Sequence, residues 1–144
     1  MLRNLLKNVK RPAIDFESLK KPRKPNSYLM APDGLCAFSP GEVSPVFTVS
    51  KETLMEAFDQ LASAMPNTEK VSVEQADGTY QADYVQYSKG MGFPDTLTVR
   101  VMDAQSDKST LAIFSRAHYG YRDFGVNKRR VQGLVKALGL SLSA

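Results

Sequence analysis

Residues 115–130 read Ser-Arg-Ala-His-Tyr-Gly-Tyr-Arg-Asp-Phe-Gly-Val-Asn-Lys-Arg-Arg. The stretch begins on an alternating apolar run and ends on a run with helical periodicity, so it predicts a strand that turns into a helix. Gly125 can adopt a positive φ, which suits a tight turn. Asn127 is a residue type that caps helices, so we expect its side chain to accept hydrogen bonds from the first helical turn.

The same stretch is rich in groups that attract anions. Unpaired backbone N–H groups at a helix start favour negative charge, and several basic side chains lie nearby in sequence. The candidate ligand-binding residues are Arg116, His118, Tyr121, Arg122, Asp123, Asn127 and Arg130. Arg116 and His118 share a strand face with Phe114, which predicts partial burial of that face. In the alternative interpretation Asn127 only caps the helix and Asp123 only neutralises an arginine.

The composition is that of one ordinary globular domain. The chain has 144 residues, of which 42% are apolar and 24% charged, enough to bury a core. The single cysteine, Cys36, excludes an intramolecular disulfide, and one Cys with one His cannot form a Cys-rich zinc site. We expect no cofactor. No apolar run approaches the roughly 18 residues of a membrane span, and the N-terminus lacks a secretory signal, so we expect a cytoplasmic protein.

The net charge of +4 conceals a strong segregation along the chain. Residues 1–26 carry eight Lys/Arg and two Asp/Glu, residues 27–110 carry five and twelve, and residues 111–144 carry six and one. The basic ends could bind an anionic partner. They could equally pair with the acidic middle of the same fold, and the sequence leaves both interpretations open.

The N-terminal residues predict a basic tail and linker at 1–26, followed by a single domain at 27–144. The apolar residues of segment 1–11 have helical spacing, which is typical of a short helix that lies on an anionic membrane surface; the alternative is an initiator segment that frays or packs on its own domain. The proline-punctuated run Lys20–Pro25 predicts an extended linker. We expect residues 1–25 to lie outside the fold.

The middle of the chain predicts an antiparallel sheet and two helices. Ser50 caps a one-sided amphipathic helix that ends before Pro66, and a second helix runs roughly from Lys128 to Leu138 with Gly139 as its stop. After the turn-rich segment 26–45, strands are predicted at Val46–Val49, Lys70–Gln75, Thr79–Tyr87, Asp95–Met102 and Ser109–His118, with Asp77-Gly78 as a hairpin turn. The fold class is α+β, a two-layer sandwich of a mainly antiparallel twisted sheet of about five strands with two helices on one face.

The loop Ser88–Pro94 differs from the other connections because two glycines flank Met91. An exposed Met91 or Phe93 on such a loop could touch a ligand or a membrane. An ordinary hairpin connection is the alternative.

The C-terminal stretch resembles domain-of-unknown-function family 1499, found in bacteria and plastids. The family signature looks like Ser-x-Ser-Arg-x-Gly-Tyr-x-Asp-x-Gly-Val-Asn-x-x-Arg before an amphipathic helix. The matching residues are Ser115, Gly120, Tyr121, Asp123, Gly125, Val126, Asn127 and Arg130. Ala117 and His118 depart from the usual serine and arginine, while Phe93 and Asp95 echo an upstream family feature. The resemblance covers residues 27–139 and implies a fold but no activity, because the family is uncharacterised.

Three function classes follow from these observations. We favour a small non-catalytic domain that binds an anionic small molecule, a membrane surface or a protein near the last strand-to-helix turn, because it explains the charge segregation. An enzyme acting through His118 and Asp123 is the second class, although no phosphate loop or metal-ligand cluster accompanies them. A nucleic-acid module that uses the basic termini is the third, and the acidic middle of the chain argues against it. A membrane contact would be peripheral, through residues 1–11.

Overall fold

The computed structural model describes residues 11–76 and 79–143. Within these ranges the chain forms six strands and two α-helices: β1 (Ser27–Ala31), β2 (Glu42–Val43), α1 (Lys51–Ser63), β3 (Thr68–Ala76), β4 (Thr79–Tyr87), β5 (Pro94–Asp103), β6 (Ser109–Ala117) and α2 (Val126–Leu142). A short 3-10 helix at Phe16–Ser18 precedes them. The hairpin turn predicted at Asp77-Gly78 lies outside the described residues.

The strands form one sheet in the order β2-β1-β6-β5-β4-β3. Neighbouring strands are antiparallel except β1 and β2, which are parallel. The α+β fold with two helices is therefore confirmed. The sheet is mixed and has six strands where about five antiparallel strands were expected, because the turn-rich segment at 26–45 supplies two short strands that the sequence pattern did not reveal.

The strand predicted at Val46–Val49 is wrong. Only Phe47 pairs there, in an isolated bridge with Ser109 whose two N–O distances are 2.7 and 2.9 Å. The carbonyls on either side of the bridge bond to side chains instead of to a strand partner, since the Ser109 Oγ donates to Val49 at 2.7 Å and the Thr110 Oγ1 donates to Pro45 at 2.8 Å.

The two helices cover one face of the sheet and form the main core. The Ser50 cap is confirmed, because its Oγ accepts a hydrogen bond from the Thr53 N–H at 3.1 Å. Apolar helix residues pack against the inward side chains of β4, β5 and β6, namely Leu54, Phe58, Ala62, Val131, Leu134 and Leu138. The predicted stop at Gly139 is wrong, since α2 continues to Leu142, which also packs on this core. None of the helices in the described ranges is long and apolar enough to cross a membrane.

The opposite, outer face of the sheet is covered by the N-terminal segment. Phe16 is fully buried there with Leu29 and Phe114, and the Ile14 carbonyl accepts a hydrogen bond of 2.8 Å from the Gln81 side chain. The expectation that residues 1–25 lie outside the fold is therefore wrong around Phe16. An apolar outer face of β6 requires cover, which the sequence pattern of the tail did not show.

Candidate functional site

The turn between β6 and α2 is closed by the carboxylate of Asp123. One oxygen accepts a hydrogen bond from the Gly125 N–H and the other from the Asn127 N–H, each at 3.0 Å. Although burial opposes ionisation, hydrogen bonds from the Asn127 side chain and these N–H groups hold the pKa of Asp123 below its usual range. Asp123 thus occupies the place where an external anion would meet the helix start.

Asn127 is not the helix cap, so that prediction is wrong. The N-cap is Gly125, whose φ of 82° lies in the left-handed region that glycine adopts readily. Asn127 lies inside the helix and is fully buried. Its Nδ2 donates to the Asn26 carbonyl at 3.0 Å and to Asp123 at 2.8 Å, and its Oδ1 accepts from Ser115 at 2.5 Å. Because Asp123 already binds the first helical N–H groups, Asn127 is available to join distant segments.

Arg130 completes this buried arrangement. Its Nη1 lies 3.0 Å from the Asp95 carboxylate and 2.6 Å from Asn127 Oδ1, and its Nε donates to Gln86 at 2.7 Å. Burial raises the pKa of Asp95 above its usual range, against the opposing positive charge of Arg130. We call the set Gln86, Asp95, Ser115, Asp123, Asn127 and Arg130 the inner network. It ties α2 to β4, β5 and β6.

Arg116 lies on the other face of the sheet. Ser115 points inward to Asn127, so its neighbour must point outward. The Arg116 Nη1 donates to Thr98 Oγ1 at 3.0 Å, and the guanidinium carbon lies 5.1 Å from the Phe114 ring centroid. The Nη2 atom is buried and has no hydrogen-bond partner among the residues that the structure describes. Burial lowers the pKa of Arg116 to about 10. The prediction that Arg116 lies close to the start of α2 with the other basic side chains is therefore wrong.

His118 shares the outer face with Arg116, as the alternation predicted. Its Nε2 and the Thr96 hydroxyl share a hydrogen bond of 2.6 Å. Burial, followed by the positive charges of Arg116 and Arg11, lowers the pKa of His118 to about 4. The imidazole is therefore neutral near pH 7. Because His118 bonds to Thr96 while Asp123 bonds to the helix start, the structure does not join the two as a catalytic pair.

Tyr121 and Arg122 remain at the surface of the turn. Tyr121 is 58% exposed, and the Arg122 guanidinium lies 5.7 Å from its ring centroid. Phe124 is 83% exposed. The β4–β5 loop lies beside the turn, because the rings of Phe93 and Tyr119 are 5.8 Å apart. The exposed apolar residues of the two loops, Met91, Phe93, Tyr119, Tyr121 and Phe124, are called the aromatic tip below.

The predicted ligand-binding residues thus fall into three groups. Asp123, Asn127 and Arg130 belong to the inner network, Arg116 and His118 lie on the outer face, and Tyr121 and Arg122 lie at the surface. Tyr119 and Phe124 were missed as site candidates, although a hydrophobic residue among basic ones in a glycine-rich turn is a usable signal. The partners Asn26 and Gln86 carried no local signal, since they are distant in sequence.

The comparisons with known proteins give a family and no activity. A family model described as "Protein of unknown function (DUF1499)" matches residues 19–138. A search of curated proteins finds no match. Among solved structures, the crystal structure of Ara h 8.0201 is similar, with 14% identity, a TM-score of 0.46, and coverage of 69% of this chain and 94% of the other. The solution structure of Chr148 from Cytophaga hutchinsonii is similar at 12% identity and a TM-score of 0.37, covering 69% and 88%.

Proposed function

We propose a binding function for this chain, which belongs to the DUF1499 family of proteins of unknown function. In this proposal the chain is a non-catalytic domain that docks on an anionic membrane surface through the aromatic tip. The observation that carries the proposal is Phe124, which is 83% exposed and has a φ of 52°. A bulky residue rarely adopts a positive φ, and such strain is found most often at functional sites.

The strain at Phe124 has an identifiable cause. Asp123 fixes the helix start on one side of it, and the Arg129 Nη1 donates a hydrogen bond of 3.0 Å to the Phe124 carbonyl on the other. The backbone is therefore held while the ring points away from the protein. A folded chain gains nothing from such exposure, because full burial of a phenylalanine side chain is worth about 1.5–3 kcal/mol.

The charges around the tip favour an anionic partner. The exposed side chains of Arg122 and Arg129 contact Tyr121 and the Phe124 carbonyl, and Lys128 is exposed in the first turn of α2. The nearby acid, Asp123, is bonded to backbone N–H groups. Each basic residue close to an anionic membrane contributes about 1 kcal/mol of attraction. Basic residues supply electrostatic attraction to anionic lipids and aromatic residues supply apolar area to bury, and the strength of interfacial binding depends on both.

A surface suits this geometry better than a small anion at the helix start. The Asp123 carboxylate already accepts the hydrogen bonds that such an anion would use. The neutral state of His118 near pH 7 favours a non-catalytic role, because a general base at this position would have a pKa of only about 4. The basic residues at 1–11 would add a second contact, and the protein would then be cytoplasmic and peripheral to the membrane.

Vesicle flotation tests the proposal. The full chain should float with vesicles containing about a third anionic lipid, should remain unbound with neutral lipid, and should be released by high salt. The variant Arg122→Gln/Lys128→Gln should bind several-fold more weakly. The matched control Lys108→Gln/Lys136→Gln removes the same charge from exposed positions away from the tip and should bind as the parent does.

Two results would contradict the proposal. One is equal flotation with neutral and anionic vesicles, and the other is equal weakening by the two charge variants. A chain lacking residues 1–10 separates the tail from the tip. If that deletion abolishes flotation while the tip variant leaves it unchanged, the tail alone binds the membrane.

A further inference from the structure

A groove separate from the inner network crosses the edge of the sheet at β1. Its volume is about 550 Å³, within the range of small-molecule sites. It is lined by residues 21–25, by residues 27–29 of β1 and by residues 38–41, with Phe114 and Tyr121. The groove exists because β2 pairs only with Met30 and Ala31, which leaves Ser27 and Tyr28 without a paired strand on that side.

Aromatic side chains form the apolar part of the groove. Tyr28 packs on the helix side of β1, where its hydroxyl donates a hydrogen bond of 2.9 Å to Glu42. Phe38 is half-buried in the outer core, on the opposite side of the strand. Gly41 approaches the Tyr28 ring so closely that a Cβ would come within 2.5 Å of it. The Gly41 N–H also donates to the Leu29 carbonyl at 2.9 Å. The lining on this side is therefore fixed by packing and by backbone bonding.

The other lining segment is cationic. Lys21, Arg23 and Lys24 all line the groove, and its lining contains no aspartate or glutamate. None of the three forms an ion pair with another residue in the described ranges. Pro22 and Pro25 restrict the backbone of this segment. Three cations that have no ion-pair partner in the described ranges thus line the same groove as the aromatic rings.

From this juxtaposition we infer that the groove binds a flat aromatic anion, whose ring lies against Phe38 and Tyr121 and whose carboxylate, sulfonate or phosphate pairs with Arg23 and its neighbouring lysines. Aromatic rings favour stacking with a planar ligand. Arg and Lys provide charge-assisted hydrogen bonds to its acidic group. This site shares Tyr121 with the aromatic tip but otherwise differs from the membrane contact proposed above, since it lies over β1 and uses the linker rather than Phe124.

A matched pair of fluorescent probes tests this inference on the full chain. Anilinonaphthalene sulfonate is an aromatic anion, and phenylnaphthylamine is the same ring system without the sulfonate. The anionic probe should bind at least several-fold more tightly than the neutral probe. Its binding should shift the NMR resonances of Tyr28, Ser39 and Gly41.

Two variants and a matched control locate the probe. Lys21→Gln/Arg23→Gln/Lys24→Gln should weaken binding of the anionic probe about tenfold, whereas Lys89→Gln/Lys108→Gln/Lys136→Gln, with the same loss of charge, should leave it unchanged. Ser39→Trp fills the groove from an exposed position and should abolish binding. Its vesicle flotation should match that of the parent, so failure of the groove and failure of the membrane contact give different results.

Three results would overturn the inference. The neutral probe could bind as tightly as the anionic one, which would indicate only an apolar surface. The Ser39→Trp variant could retain full affinity. The NMR shifts could fall at Phe93, Tyr119 and Phe124, which would place the probe on the aromatic tip. Thermal melts of every variant identify any loss of binding that comes from unfolding.

Discussion

The inner network and the aromatic tip are built from neighbouring residues of one turn, yet their side chains have opposite environments. Asn127 is fully buried and bonds to three other segments, whereas Phe124, three residues earlier, is 83% exposed. Asp123 takes part in both, because it bonds to the helix start and also fixes the backbone that presents Phe124. Buried polar groups with complete hydrogen bonding indicate a structural role, while an exposed, strained apolar residue indicates a surface that contacts a partner.

Arg130→Met should have the largest effect on stability, because it leaves the buried Asp95 carboxylate without its cation. We expect a loss of about 3–5 kcal/mol in the free energy of unfolding, measured by urea denaturation. The exposed control Lys136→Met should change it by less than about 0.5 kcal/mol. In an Asp95→Asn background the same Arg130 substitution should be much less harmful. An equal loss in both backgrounds would show that the two residues are not coupled.

Phe16→Ala should have the next largest effect on stability. It tests whether the N-terminal segment belongs to the fold, in contrast to the exposed aromatic tip. Phe16 is fully buried on the outer face and the Arg100 guanidinium carbon lies 5.2 Å from its ring centroid. Its removal should lower stability by about 3 kcal/mol and leave vesicle flotation unchanged in the folded fraction. A loss of stability below about 1 kcal/mol would indicate that residues 11–25 form a linker outside the fold.

Local patterns were sufficient to predict much of this fold. Ser50 and the apolar spacing after it identified α1, and the alternation around Val99 and Ile113 identified β5 and β6. Strand β1 could not be identified, because Ser27–Ala31 is short and lies between Pro25 and Pro32. Its position depends on pairing with β6, which is a long-range contact.

The candidate site was predictable in part. The sequence pattern assigned the cap of α2 to Asn127, whereas the structure bonds the Asp123 carboxylate to two N–H groups of the helix start. Alternation along β6 already separated Ser115 from Arg116, so the outward position of Arg116 could have been inferred. The contacts of Asn127 with Asn26 and of Arg130 with Gln86 depend on tertiary packing and left no local pattern.

The outer-face histidine provides a smaller, pH-dependent effect. Since the pKa of His118 is lowered to about 4, the unfolded chain takes up a proton near pH 6.5 and the folded chain does not. Stability should therefore be fully present above pH 6.5 and fall as the pH drops toward 4, by about 1–2 kcal/mol after allowance for solvent screening. His118→Gln should flatten this dependence. Because the chain has one histidine, NMR titration gives its pKa directly, and a value near 6.5 would contradict burial.

Phe124→Asn tests the central claim most directly, because it should change binding while leaving stability almost unaltered. Asparagine tolerates positive φ better than phenylalanine, so the free energy of unfolding should stay within about 0.5 kcal/mol of the parent value or rise slightly. Flotation with anionic vesicles should weaken about tenfold, because one interfacial aromatic is lost. The control Leu140→Asn, at a residue of α2 that is 66% exposed, should bind as the parent does. Unchanged flotation of Phe124→Asn, or equal weakening by the control, would contradict a membrane contact through the aromatic tip.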